Sequence, residues 1–297
     1  MTARSVAWPL FVALLGLLVA LFLAAPILIV FNISLAETRL ARPPYTPLLV
    51  ESADGWSFAG TLANYVTLMT DAIYARALAR SVWLAGMSTA LALVLALPMA
   101  YAVARASSTL RRALLAAILL PFWTSFLIRV YAWIAILKDE GLLNAALLGL
   151  GLIGAPLAIL NTDAAVVIGI VYAYLPFMIL PLYVTFARIA PSMAEAAADL
   201  GATPTRTFWT VTLPMAAPGV VAGSLLVFIP AVGEAVIPDL LGGAETLMIG
   251  KSLWTEFFQS RDWPLASAIA VLLLALLVGP TAWLEGRDAR RREAGSA

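Results

Sequence analysis

Six apolar runs, each long enough to cross a lipid bilayer, set the limits on what this chain can fold into. They fall at about residues 8–33, 79–104, 113–137, 164–187, 216–238 and 265–284. A hydrocarbon core about 30 Å thick is crossed by about 20 residues of helix. Within it every backbone amide and carbonyl has to be paired inside the protein, which favours helices. The expected fold is therefore all-α: a polytopic membrane protein with six transmembrane helices, forming a single domain over 1–297. Composition agrees, since 63% of residues are hydrophobic and 12% charged, against about 25% charged in soluble domains. The first run follows Arg4 and extends from Trp8 to about Ile33. It is too long for the h-region of a signal peptide and reads as a retained span.

The same residues exclude several kinds of chemistry. There is no cysteine and no histidine, so disulfides, thiol catalysis and histidine metal sites are out. Carboxylates do not cluster inside the apolar runs, so neither catalytic residues nor a metal site is expected. The net charge of +1 gives no reason to expect a nucleic-acid partner. No G-x-x-x-x-G-K-[ST] is present, so no cofactor is expected in this chain. Residues 34–75 read as an irregular loop marked by Pro43-Pro44, Pro47 and Asp54-Gly55, with Phe58 to Ala75 as a short amphipathic lead-in. Residues 138–163 read as a loop whose apolar middle is broken by Gly149, Gly151, Gly154 and Pro156, hence interfacial.

Orientation follows the lysines and arginines near the span ends. With the N-terminus inside, the cytoplasmic set comprises Arg4, Arg105, Arg111, Arg112, Arg188, Arg206 and the tail arginines Arg287, Arg290, Arg291 and Arg292. The opposite side carries most of the acids, among them Glu37, Asp163, Asp239 and Glu256. Both termini are thus expected in the cytoplasm, and so is the polar loop 188–214.

That loop reads as a helix-turn-helix between spans. Ser192 and Glu195 have the S-x-x-E spacing of a capping box, which would start a helix at Met193. Gly201 stands where a helix ends in a left-handed residue. Thr203-Pro204 restarts a helix, with Thr as cap and Pro at its first position. Pro214 stops or bends it. Glu195, Ala196, Ala197, Gly201, Leu213 and Pro214 resemble the cytoplasmic signature of permease subunits of ABC importers, with Val211 in place of the usual isoleucine. The resemblance implies that the loop is a coupling helix docked on an ATPase subunit.

Arg129 and Glu234 lie deep in apolar runs, where a charge costs about 2.5–3.5 kcal/mol on insertion scales. They pair with each other, or Arg129 snorkels to an interface, or they face a solute path. Around Glu234 stand Pro230, Gly233 and Pro238, which free backbone carbonyls at a broken helix and suit a cationic solute. Asp239 adds a second acid. Trp133 and Trp254 add rings that would face a cation or serve as interfacial belt residues.

Two stretches sharpen the resemblance. LVFIPAVGEAVIPDLLGGAETLMIGKSLWTEFFQSRDWPLASA at 226–268 and FWTSFLIRVYAWIAIL at 122–137 look like the permeases of bacterial polyamine (putrescine/spermidine) importers. The likeness covers roughly 80–285. It implies a second homologous permease, two ATPase subunits holding ATP and Mg, a periplasmic solute-binding protein, and residence in the inner membrane. It also implies alternating access, with Glu234, Asp239, Arg129, Trp133 and Trp254 as candidate pathway residues. The rivals are the same architecture for another small solute and, in a different class, an ion-coupled secondary carrier.

Overall fold

The computed structural model describes residues 4–52 and 55–294, with side chains described over 11–51 and 55–278. The side chains of Arg4, Asp54 and the tail arginines Arg287, Arg290, Arg291 and Arg292 lie outside that description. Contacts gather in two compact units, Met1–Ala75 with Ser252–Ala297, and Arg76–Lys251.

The first unit is built on α1 (Arg4–Ser34) and α14 (Trp263–Ala294), which pack together. From Phe11 onward α1 is apolar on all sides and mostly exposed, Phe22 by 77%. A helix apolar all round suits hydrocarbon rather than water. Past its end, Asn64 Nδ2 donates to the carbonyls of Ser34 and Ala36, both at 2.9 Å, and Ser34 Oγ lies 2.7 Å from Tyr65 Oη. Asn64 and Tyr65 open α2 (Ala63–Thr70), so this short helix satisfies carbonyls that a helix terminus leaves unpaired. One addition departs from the all-α expectation. β1 (Leu49–Ser52) and β2 (Gly55–Phe58) form an antiparallel hairpin, with Val50 opposite Ser57 and Glu51 opposite Trp56. Their described residues are all exposed, so the buried–polar alternation that announces a strand is missing.

The second unit contains most of α3 (Ala72–Arg105). Its buried face is mostly small residues, Ala77, Ser81, Ala85, Ser88, Ala92, Ala96 and Ala100, with Leu84 and Val103 as larger members. Spaced by three or four, the small ones occupy one side of the helix and permit close approach. The most enclosed helix is α7 (Asp163–Arg188), and α11 (Ala217–Val232) lies along it. Their contact depends on Gly219 and Gly223. A Cβ at Gly219 would fall 2.9 Å from the Pro181 carbonyl oxygen, and one at Gly223 would fall 2.8 Å from Met178 Sδ.

Two apolar runs are interrupted. The third is not the single helix expected over 113–137. α4 (Ser108–Leu119) passes through a 3₁₀ turn, Leu120–Trp123, before α5 (Phe126–Leu137). The two halves are bent by 92°. Pro121 lies in the turn, and its carbonyl accepts from Thr124 N at 3.2 Å, Thr124 Oγ1 at 2.7 Å and Arg129 Nη1. α6 (Leu142–Gly149) follows, too short to cross a bilayer at about 1.5 Å per residue. The fifth run also breaks: α11 ends at Val232 and α12 (Val236–Leu241) restarts three residues beyond Gly233, packing on α5 and α7. Among the described residues, Phe11–Ser34, Ala72–Arg105 and Asp163–Arg188 are long and apolar enough to cross a membrane as single helices. Ser108–Trp123 with Phe126–Gly149, and Pro204–Met215 with Ala217–Val232, reach that standard only as bent pairs. Trp263–Val278 is a shorter apolar helix.

Candidate functional site

The polar loop folds into α8 (Pro191–Asp199), α9 (Pro204–Thr207), a π-helical stretch Phe208–Thr212, and α10 (Leu213–Met215). The expected capping box is absent. Ala190 is the N-cap, Pro191 opens the helix, and no side chain caps it. The fixed φ of proline suits a first helical position, so the helix starts early enough to enclose Ser192 in its first turn. The other end is as expected. Gly201 has φ +82, its N–H donates to Ala198 O at 2.8 Å, and the Ala202 N–H donates to Ala197 O at 3.0 Å. This pair of bonds is a Schellman motif. Thr203 Oγ1 then accepts from the Arg206 N–H at 3.4 Å, with Pro204 next to it.

Glu195 and Ala196 are exposed and Ala197 is half-buried. Beside them Met193 and Leu200 are also uncovered, Leu200 by 89%. Leu213 and Pro214 open the last turn before a 69° bend into α11. The loop is joined to the spans through aromatic rings. Phe208 meets Tyr101 of α3 edge-on at 5.5 Å and Phe186 of α7 at 6.4 Å, and Tyr101 meets Phe186 at 5.6 Å. The Arg105 guanidinium lies 5.5 Å over the Tyr101 ring and donates to Ile189 O at 3.5 Å.

Of the candidate pathway residues, four lie in the second unit and Trp254 in the first. Glu234 is buried, with 8% exposure, in the break between α11 and α12. Its Oε1 accepts from the N–H groups of Ala235 at 3.1 Å, Val236 at 3.0 Å and Ile237 at 3.4 Å, and its Oε2 accepts from Tyr174 Oη at 2.5 Å. The carboxylate caps the N-terminus of α12, where the helix dipole favours negative charge. Arg129 does not meet it. Its Nη1 donates to Pro121 O, and its guanidinium lies 5.3 Å from the Phe122 ring and 5.9 Å from that of Phe126. Asp239, in the first turn of α12, pairs with Lys251 Nζ at 3.2 Å. Trp133 meets Tyr172 edge-on at 5.4 Å. Trp254 lies near the end of α13 (Ile249–Thr255), 4.3 Å from Phe258. A hollow of about 470 Å³ between α3, α4 and α7, lined by residues such as Met99, Leu114, Tyr172 and Ile179, is apolar and has none of the five candidates in its wall.

Sequence reasoning passes over Tyr174, Lys251 and the Gly219–Gly223 pair. A signal exists for the glycines, since G-x-x-x-G in an apolar run marks close helix approach. Tyr174 is separated from Glu234 by 60 positions, and nothing local connects them.

Residues 88–284 match the family described as binding-protein-dependent transport system inner membrane component. The chain is 40% identical over 231 residues to the spermidine/putrescine transport system permease protein PotB of Haemophilus influenzae, covering 77% of this chain and 80% of that protein. It is 41% identical over 217 residues to PotB of Escherichia coli, covering 73% and 78%. Among solved structures it resembles that of a bacterial ABC transporter involved in the import of the acidic polysaccharide alginate. There the TM-score is 0.68 and the identity 18%, with 95% of this chain and 96% of the other covered. At that identity the likeness speaks for the fold.

Proposed function

The chain belongs to the family of binding-protein-dependent transport system inner membrane components, and from that membership we propose that it is the permease subunit of an ATP-driven importer for polyamines of the putrescine/spermidine type. The observation that carries the substrate is the 40% identity with PotB over three quarters of the chain. In this reading the chain catalyses no reaction itself. ATP and Mg are held by two ATPase subunits, a second homologous permease completes the pore, and a periplasmic binding protein delivers solute. Six spans are counted from α1, α3, the bent α4–α5, α7, the broken α10–α12 and α14, with both termini and the 188–214 loop in the cytoplasm.

The coupling residues are Glu195, Ala196, Ala197, Gly201, Leu213 and Pro214. The Schellman turn and the Thr203 cap keep α8 and α9 at a set angle, so a push from an ATPase moves them together. Phe208 passes that push to Tyr101 and Phe186, and hence to α3 and α7. Because α7 and α11 touch at glycines, they shift as one body. Asp239, Trp133 and Trp254 face the path, while Glu234 and Arg129 fix the two breaks that shape it.

Uptake of labelled putrescine and spermidine by native cells, with the gene intact or deleted, tests this reading. Loss on deletion, together with dependence on ATP rather than on an ion gradient, supports it. Full uptake after deletion in cells without a second polyamine importer rejects the substrate, and ion-driven uptake rejects the mechanism.

A further inference from the structure

We propose that Lys251 is a tethered competitor for the transported cation: its ammonium holds Asp239 until an incoming polyamine ammonium displaces it. The proposal rests on the polyamine reading. A lysine side chain is a primary ammonium on a flexible four-carbon stem. One end of putrescine presents the same group on the same length of chain. The pair at 3.2 Å therefore already places an alkylammonium on this carboxylate.

Burial makes the arrangement displaceable. The Asp239 side chain is 58% exposed and that of Lys251 25%. The carboxylate is open to an outside ligand, while the lysine stem is packed. An ion pair this exposed is weak, so a polycation of matching chemistry competes with it. Neutral and anionic solutes do not, which makes the pair a filter as well as a latch. Glu234 offers no comparable opening, because backbone amides and Tyr174 already occupy it. Position ties the latch to the break in the helix. Asp239 stands in the first turn of α12, just past the break, and Lys251 follows Gly250, where a Cβ would fall 2.6 Å from the Glu234 carbonyl oxygen. The two partners of the pair thus flank the break, one just beyond it and the other next to a glycine packed on its backbone.

The test measures KM for putrescine and spermidine uptake in cells deleted for this gene and supplied with Lys251→Met, Asp239→Asn, or both. KM does not depend on how much of each variant reaches the membrane. Lys251→Met, which keeps the stem and removes the charge, lowers KM by about two- to fivefold, the factor an exposed ion pair contributes. Asp239→Asn raises KM, and in that background Lys251→Met no longer lowers it. An unchanged or higher KM in Lys251→Met overturns the proposal, as does an unchanged KM in Asp239→Asn. If the wild-type importer carries neither polyamine, the substrate reading fails and this proposal with it. Robust wild-type uptake with an indifferent Lys251→Met removes this proposal alone.

Discussion

A carboxylate among apolar helices is costly unless donors surround it, and Glu234 has four: three successive amides at the start of α12 and the Tyr174 hydroxyl. Such a group stabilises a cut in a helix more directly than it binds a passing cation. The two roles separate by substitution. Glu234→Ala leaves the amides unmet, at about 1–3 kcal/mol for each buried group that finds no partner. Glu234→Gln keeps an oxygen for the amides but loses the charge assistance and replaces the acceptor of the Tyr174 hydroxyl with an NH2, at about 1–3 kcal/mol in all. Tyr174→Phe removes one donor and costs about 1–2 kcal/mol. The unfolding midpoint in detergent is expected to fall furthest for Glu234→Ala and by less for the other two. The KM of Glu234→Gln is expected to stay close to wild type. A KM raised equally by Gln and Ala would instead make the carboxylate a direct ligand of the solute. Arg129 follows the same logic, because its guanidinium serves the Pro121 carbonyl at the other break. Both charges stand out in the sequence as anomalies in apolar runs, but their partners do not. Those partners are backbone groups exposed only once the helices are cut and, for Glu234, a tyrosine 60 positions away.

Elements announce themselves where their signals are local. Gly201 ends α8 in a left-handed turn and Thr203-Pro204 opens α9, as their spacing predicts. The capping box is missing for an equally local reason, since Pro191 starts the helix before Ser192 can cap it. The β1–β2 hairpin is announced only by the Asp54-Gly55 turn signal, because the described strand residues bury no face and show no alternation. Between α7 and α11 the G-x-x-x-G spacing is legible, and it makes a sharp prediction. Gly223→Val puts methyls where Met178 already lies, and overpacking of this kind costs about 1–3 kcal/mol. Gly86, within α3, has open space where a Cβ would sit, and Gly→Ala inside a helix favours it by up to about 1 kcal/mol. Thermal unfolding in detergent is expected to show a lower midpoint for Gly223→Val and an equal or higher one for Gly86→Ala. A Gly223→Val protein as stable as wild type would mean that α7 and α11 do not touch there.

For the molecule as a whole, the apolar runs and their flanking charges carry the expected topology; the break at Glu234 is legible in Pro230, Gly233 and Pro238, while the sharp turn inside the third run is what that run conceals. A proline in an apolar segment is compatible with a kinked span or a full break. At Pro121 the segment turns by 92°, and Thr124 and Arg129 donate to the Pro121 carbonyl in the turn. At Pro98 the helix runs through unbroken. Charge bias is the ground for expecting loop 188–214 in the cytoplasm and the hairpin on the other side, and the absence of native cysteine makes this expectation directly measurable. Ser57 in β2 and Ser192 in α8 are both exposed, so a thiol at either position can be reached from its own compartment. A maleimide that does not cross the plasma membrane is expected to label Ser57→Cys in intact cells, and to label Ser192→Cys only after lysis. Both substitutions are isosteric and lie on exposed surface, so a missing signal from either would report access rather than misfolding. Labelling of Ser192→Cys from outside would invert the chain. It would carry the Glu195 surface away from the ATPase it is proposed to meet, and with it the ABC-importer reading of the loop.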